Sequence, residues 1–157
     1  MYKENDTIVY KKDVCKVIDT NDDYYVLKPI NDETLTIKAL KNSKLIRSLI
    51  SIKEINKIIN NIPNIKIINE NDKLIENQYK ELLKDGSFES LISIIKTTYL
   101  RNQKRINEKK KLSEKDKDYF ILAEKYLYTE FSIVLNKSFE DTKKYVEECV
   151  KKYEISK

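Results

Sequence analysis

Near residue 50 the spacing of apolar residues changes from two to about 3.6, and that change divides the chain into a β part and an α part. Before it, short β-branched and aromatic runs recur at roughly ten-residue intervals. Thr7-Ile8-Val9-Tyr10 is the first. Val14-Cys15-Lys16-Val17-Ile18 follows the turn residues Lys12-Asp13, and Tyr24-Tyr25-Val26-Leu27-Lys28 follows the turn signal Thr20-Asn21-Asp22-Asp23. Asn31-Asp32-Glu33 precedes Thr34-Leu35-Thr36-Ile37-Lys38, which alternates strictly, and a last short strand is expected near Lys44-Leu45-Ile46. Such spacing predicts a small antiparallel barrel over residues 1–50.

From Ser51 the pattern is helical over residues 51–157. Ser51-Ile52-Lys53-Glu54 matches a capping box, and Ile52, Ile55, Ile58, Ile59 and Ile62 share one face until Asn60-Asn61 and Pro63 end the helix. Residues 64–71 carry no clear period. Asp72 is expected to cap a second helix that reaches Lys84, stopped by Asp85-Gly86. Phe88, Leu91, Ile92, Ile95 and Tyr99 mark a third, whose basic end from Arg101 to Lys111 reads either as more helix or as a fraying tip. Ser113-Glu114-Lys115-Asp116 opens a fourth bearing Phe120, Ala123, Leu127, Phe131 and Val134. Ser138 caps a fifth with Val146, Cys149, Val150 and Tyr153. The fold class is therefore α+β, with about five helices after the barrel. No Gly- or Pro-rich linker separates the parts.

Gly86 is the only glycine among 157 residues, and there are two prolines. Positive-φ turns must then fall to Asn and Asp. The same scarcity removes phosphate-binding glycine loops and dinucleotide fingerprints. Histidine is absent, so the commonest general base and metal ligand are missing. Cys15 and Cys149 stand far apart, which favours neither zinc nor a disulfide. No cofactor, metal or small-molecule substrate is expected. An enzyme would have to work through paired carboxylates, and these interleave with lysines as solvated helix faces do.

The net charge of +5 fits a nucleic-acid partner without requiring one. The densest basic stretch holds Arg101, Lys104, Arg105, Lys109, Lys110 and Lys111, either a phosphate-binding surface or a solvated tip. Tyr79, Tyr99, Tyr119, Tyr126 and Tyr145 lie at helical spacing beside Leu and Ile and read as core or rim rather than as base-stacking platforms. No apolar run approaches the ~20 residues that span a bilayer, and the N-terminus lacks a signal-peptide pattern. A soluble, cytoplasmic monomer is expected, without membrane contact.

Several motifs, in order, resemble one family. Asn5-Asp6-Thr7-Ile8-Val9-Tyr10 is similar to the GD-x-V-V-Y opening of CarD/CdnL bacterial transcription regulators, which transcription-repair coupling factors share in their polymerase-interacting domain. Tyr24-Tyr25-Val26-Leu27 and Leu35-Thr36-Ile37-Lys38 resemble the next strands of that domain. Lys84-Asp85-Gly86-Ser87, Tyr99-Leu100-Arg101-Asn102-Gln103, Leu112-Ser113 and Ala123 through Glu130 resemble segments of the CarD-type helical domain. The resemblance spans nearly the whole chain.

It implies a Tudor-like or SH3-like barrel at 1–50 that binds the RNA polymerase β subunit, and a helical domain at 51–157 that faces promoter DNA at the upstream edge of the bubble. Open-complex stability would be the regulated quantity. Lys38 aligns with a basic polymerase contact, and Thr36 and Ile37 share its segment. From position alone Lys38 is an ordinary outward lysine. Thr20-Asn21-Asp22-Asp23 is short and acidic where the family hairpin is basic. At the family's tryptophan DNA wedge this chain carries Asp72. DNA contact would then run through Lys73, Lys80, Arg101, Lys104 and Lys117 on phosphate, without base readout. A polymerase-binding adaptor that has lost the wedge is the second reading, and a small acid–base enzyme the third.

Overall fold

The computed structural model describes the backbone of residues 1–156 and the side chains of residues 1–150. Tyr153, expected on the last helix's apolar face, lies outside the described side chains. The chain splits into two compact units, Met1–Ile50 and Ser51–Lys157.

The first unit is a five-stranded antiparallel sheet curled into a half-barrel. Its strands are β1 (Thr7–Tyr10), β2 (Asp13–Thr20), β3 (Tyr24–Pro29), β4 (Ile37–Leu40) and β5 (Ile46–Ser48), in the spatial order β4-β3-β2-β1-β5. β1 to β4 form a meander, and β5 returns to pair with β1, Val9 opposite Arg47. Period-two alternation sends Ile8, Cys15, Val17, Tyr25, Leu27 and Ala39 to one buried face, with Tyr2, Tyr10, Ile37 and Ile46 packed around them. Tyr2 closes that core, its ring 5.8 Å from Tyr25 in an edge-on contact and its backbone N–H donating to the Tyr25 hydroxyl at 3.2 Å. A register shift between Val17 and Asp19 leaves Ile18 exposed.

The fourth strand starts later than its alternation suggests. Asp32 Oδ1 accepts from both the backbone N–H and the hydroxyl of Thr34, at 3.1 and 2.6 Å, and the Leu35 N–H donates to the Asp32 carbonyl. This turn captures residues 32–35 before they reach the sheet, so Leu35 is exposed and Thr36 precedes β4.

Among the described residues the second unit holds α1 (Ile52–Asn61), α2 (Ile75–Asp85), α3 (Phe88–Asn107), α4 (Glu114–Leu135) and α5 (Phe139–Ser156), with a 3₁₀ turn at Ile62–Asn64. Serine hydroxyls open four of them. Ser51, Ser87, Ser113 and Ser138 accept from the backbone N–H three residues on, at 3.0–3.2 Å. In α1 only Ile55 and Ile59 are fully buried, and Ile52, the first residue of the helix, is exposed. Burying each of those two isoleucines contributes roughly 1.5–3 kcal/mol.

Asp72 does not cap α2. The helix begins at Ile75 with Leu74 in the capping position and no side-chain cap, and Asn71 closes the turn before it, its side-chain oxygen accepting from the N–H groups of Lys73 and Leu74 at 3.1 Å each. Residues 65–68 form an extended strap along α3. The Thr97 hydroxyl accepts from the Ile68 N–H at 2.8 Å, Ser93 donates to the Lys66 carbonyl, and Lys96 donates to the carbonyls of Ile62 and Ile65.

Chain reversals without glycine fall on Asn5, Lys11, Lys109 and Asn136, all at positive φ, while Gly86 ends α2. The two asparagines match the expectation from composition. The lysines do not. Lys109 terminates α3 with its N–H on the Ile106 carbonyl while the Lys110 N–H reaches the Arg105 carbonyl, the paired bonds of a Schellman end.

Candidate functional site

α3 presents Arg101 and Arg105 one turn apart on the same face. Asp116 sits opposite them in the first turn of α4, where Ser113 caps the helix and the free N–H groups favour an anion. Its carboxylate is 1% exposed and has partners on both oxygens. The Tyr79 hydroxyl of α2 donates to Oδ1 at 2.9 Å, while Arg101 Nε and Arg105 Nη1 donate to Oδ2 at 2.9 and 2.6 Å. Asp72 stands on the outer side. It accepts a short hydrogen bond from Arg101 Nη2, and Arg105 Nη2 lies 4.0 Å from the same oxygen. The Arg101 hydrogen bond and charge hold the Asp72 carboxyl below its ordinary range. Burial first, and then the bond to Asp116, push the Tyr79 hydroxyl far up, so it stays protonated as a donor.

Neighbouring contacts fix this network. Tyr79 and Tyr119 rings lie 4.9 Å apart, and the Tyr119 hydroxyl donates to Glu76 at 3.0 Å. The Asn102 side-chain oxygen accepts from the Ser113 N–H at 3.0 Å and from Arg105 at 2.7 Å, tying the end of α3 to the cap of α4.

The residues expected to meet DNA divide into two groups. Lys73, Lys80, Lys104 and Lys117 are exposed. Arg101 is not an outward cation, since its side chain is 22% exposed and its guanidinium is committed to two carboxylates. Asp72 lies beside that guanidinium, on an exposed turn before α2. Sequence reasoning overlooked the network as such. Its available signal was the four-residue spacing of Arg101 and Arg105, together with the acid at the third position after the Ser113 cap.

In the sheet, the residues expected to meet polymerase lie on or beside β4, which pairs with β3 alone and forms one edge. Lys38, opposite Val26, is exposed, and its ammonium stands 5.1 Å from the centroid of the Tyr24 ring. Ile37 packs against the core, so its side chain is not offered outward. Thr36 is exposed ahead of the strand. The acidic hairpin at 20–23 is closed by Asn21, whose side-chain oxygen accepts from the N–H groups of Asp23 and Tyr24 at 2.8 and 2.9 Å.

A separate cleft of about 540 Å³ opens between α3, α4 and α5, lined largely by apolar side chains such as Ile92, Ile95, Leu127 and Val146. Glu124 borders it and pairs with Lys143 at 3.2 Å. Burial pushes the Glu124 carboxyl up, against the pull of Lys143. Among the described residues no group of three or more Cys, Asp or Glu is arranged to hold a metal ion, and no helix is long and apolar enough to cross a membrane.

No protein-family model matches the chain, and no curated protein matches it.

Proposed function

We propose that the chain is a non-enzymatic bacterial transcription regulator of the CarD type. The N-terminal sheet acts as a Tudor-like barrel on the RNA polymerase β subunit, and the helical unit meets promoter DNA at the upstream edge of the bubble. The observation that carries this reading is the position of β4. It is an edge strand, bonded to β3 on one side, and its exposed central residue is Lys38. An edge of this kind offers backbone hydrogen bonds to a partner strand, while Lys38 adds charge that suits an acidic patch. Leu40 and Lys38 share the outward face of β4, giving an apolar and a basic contact side by side.

On the helical unit the exposed Lys73, Lys80, Lys104 and Lys117 support phosphate contact. None of them reads bases. Asp72, at the position that resembles the family's wedge, neither stacks nor prises. The regulator therefore acts by charge and shape on open-complex stability, in the cytoplasm, bound to polymerase.

The test is a Lys38→Glu variant in a binding assay with the polymerase β subunit. Affinity should fall about tenfold or more, with helix and sheet content unchanged. Unaltered affinity would contradict the assignment of this edge. The adaptor reading keeps the polymerase contact and drops DNA, so fork-junction DNA titrated against salt in the presence of polymerase separates the two.

A further inference from the structure

We propose that Arg101 and Arg105 form a binding site for one backbone phosphate of DNA, and that the carboxylate of Asp72 occupies this site in the free protein. The proposal rests on the DNA-facing reading of the helical unit and gives that reading a defined contact.

The geometry is that of two guanidinium groups held from behind. Arg101 Nε and Arg105 Nη1 share Asp116 Oδ2, at 2.9 and 2.6 Å. Asp116 is itself immobilised by Tyr79 and by its place in the first turn of α4. Each arginine thereby directs its Nη2 to the opposite side, and both Nη2 atoms converge on one oxygen of Asp72. Two planar forks oriented in advance towards a single anionic oxygen are the arrangement that recognises phosphate, because the donors lose little freedom on binding.

The two carboxylates differ in how they are held. The Asp116 side chain is 1% exposed, whereas that of Asp72 is 80% exposed. The inner anion is part of the fold. The outer one is exposed, sits on a turn fixed by Asn71 rather than by its own side chain, and can swing away without disturbing α2. With Asp72 in place two cations face two anions and the cluster is neutral. With Asp72 displaced, one net positive charge is aimed at solvent. Lys115, which also acts electrostatically on Asp72, is paired with Glu76 at 3.5 Å and so leaves that net charge to the two arginines. Asp72 thus competes with phosphate, and the protein's affinity for DNA is set lower than the exposed lysines and an open arginine pair together would give.

The test uses the full chain and its Asp72→Asn variant, which removes the charge and keeps the shape on an exposed turn. Inorganic phosphate is titrated at constant ionic strength while the side-chain Nε–H resonances of Arg101 and Arg105 are followed by NMR. Both resonances should shift, with a severalfold lower Kd in the variant. Fork-junction DNA is then titrated against salt with polymerase present. The variant should bind more tightly, and its salt slope should steepen by about 0.9, the increment for one more phosphate. No shift at either arginine overturns the anion site, and equal phosphate affinity in the two proteins overturns Asp72 as its occupant. Phosphate binding with an unchanged DNA slope overturns the assignment to DNA. If neither protein binds DNA even with polymerase, the DNA-facing reading fails, and the phosphate titration still decides the anion site.

Discussion

Replacing Asp116 by Asn keeps the shape of the side chain and removes the charge on which three segments converge. In the native protein its oxygens accept from Tyr79, Arg101 and Arg105 at 2.6–2.9 Å. The amide retains one acceptor for the arginines, and its NH₂ turns to the Tyr79 hydroxyl, which can accept. What is lost is the counter-charge for two guanidinium groups. Removing one partner of a buried ion pair costs about 3–5 kcal/mol. Arg101 and Arg105 are 22% and 19% exposed, so water partly replaces the carboxylate, and the lower end, about 3 kcal/mol, applies. For a chain of this size that is a fall in Tm of roughly 9 °C. Urea unfolding followed by circular dichroism at the helical band measures it directly. Tyr79→Phe is the companion variant, losing one hydrogen bond to a charged acceptor at about 1.5 kcal/mol. If Asp116→Asn costs under about 1 kcal/mol, or no more than Tyr79→Phe, the carboxylate does not organise the helical unit and the reasoning fails.

Three further outcomes are expected. Burial raises the Glu124 carboxyl above its ordinary value of 4.5, against Lys143 and with Glu147 and Glu140 adding to the rise, so the folded state binds the proton more tightly than the unfolded chain. Its contribution to stability therefore falls as pH rises from 4.5 through the folded value; Glu124→Gln should flatten that slope, and an unchanged pH profile of unfolding would contradict it. Cys15 is buried in the sheet core, and burial pushes its thiol up to about 11, whereas Cys149 is half-buried. Native protein should give one thiol to an aromatic disulfide reagent, at Cys149, and the second only on unfolding; early labelling of Cys15 would mean that the sheet opens locally. Lys109 holds a left-handed conformation at φ 58°, so Lys109→Gly should stabilise the helical unit by about 0.5–1 kcal/mol in urea unfolding, and a loss of stability would show that the lysine's own contacts outweigh its backbone strain.

Much of this architecture is legible in the sequence because its signals are local. β1 follows from four β-branched or aromatic residues in a row, and the starts of α1, α4 and α5 follow from Ser51, Ser113 and Ser138, each set just before an apolar period. Where local signals compete, the reading slips. Asp32 draws Thr34 into a turn, although the alternation from Thr34 to Lys38 suggests a strand. Asp72 does not take the capping role expected of it, because Asn71 closes the turn before α2 with two backbone N–H groups on its amide oxygen and the Asp72 carboxylate goes to Arg101. Lys109 gives no sign that it will end a helix, since lysine carries no preference for the left-handed region.

The candidate site is the least legible part, and the reason is separation. Asp72, Arg101, Arg105 and Asp116 belong to three segments that tertiary packing brings together. A run of lysines and arginines from 101 to 111 reads as one basic surface. In the structure it divides into arginines turned towards carboxylates and lysines such as Lys104 turned to solvent. Charge counted along the chain cannot distinguish a cation that is available to a phosphate from one already paired.

The central claim is that β4 is the edge on which polymerase docks. Hydrogen exchange of the backbone amides, measured for the free protein and with the polymerase β subunit, tests it most directly. The β4 amides that do not bond to β3 should exchange readily in the free protein and become protected in the complex, together with Lys38 and its immediate neighbours. Protection confined to β5 or to the helical unit, with β4 exchanging as before, would contradict the account.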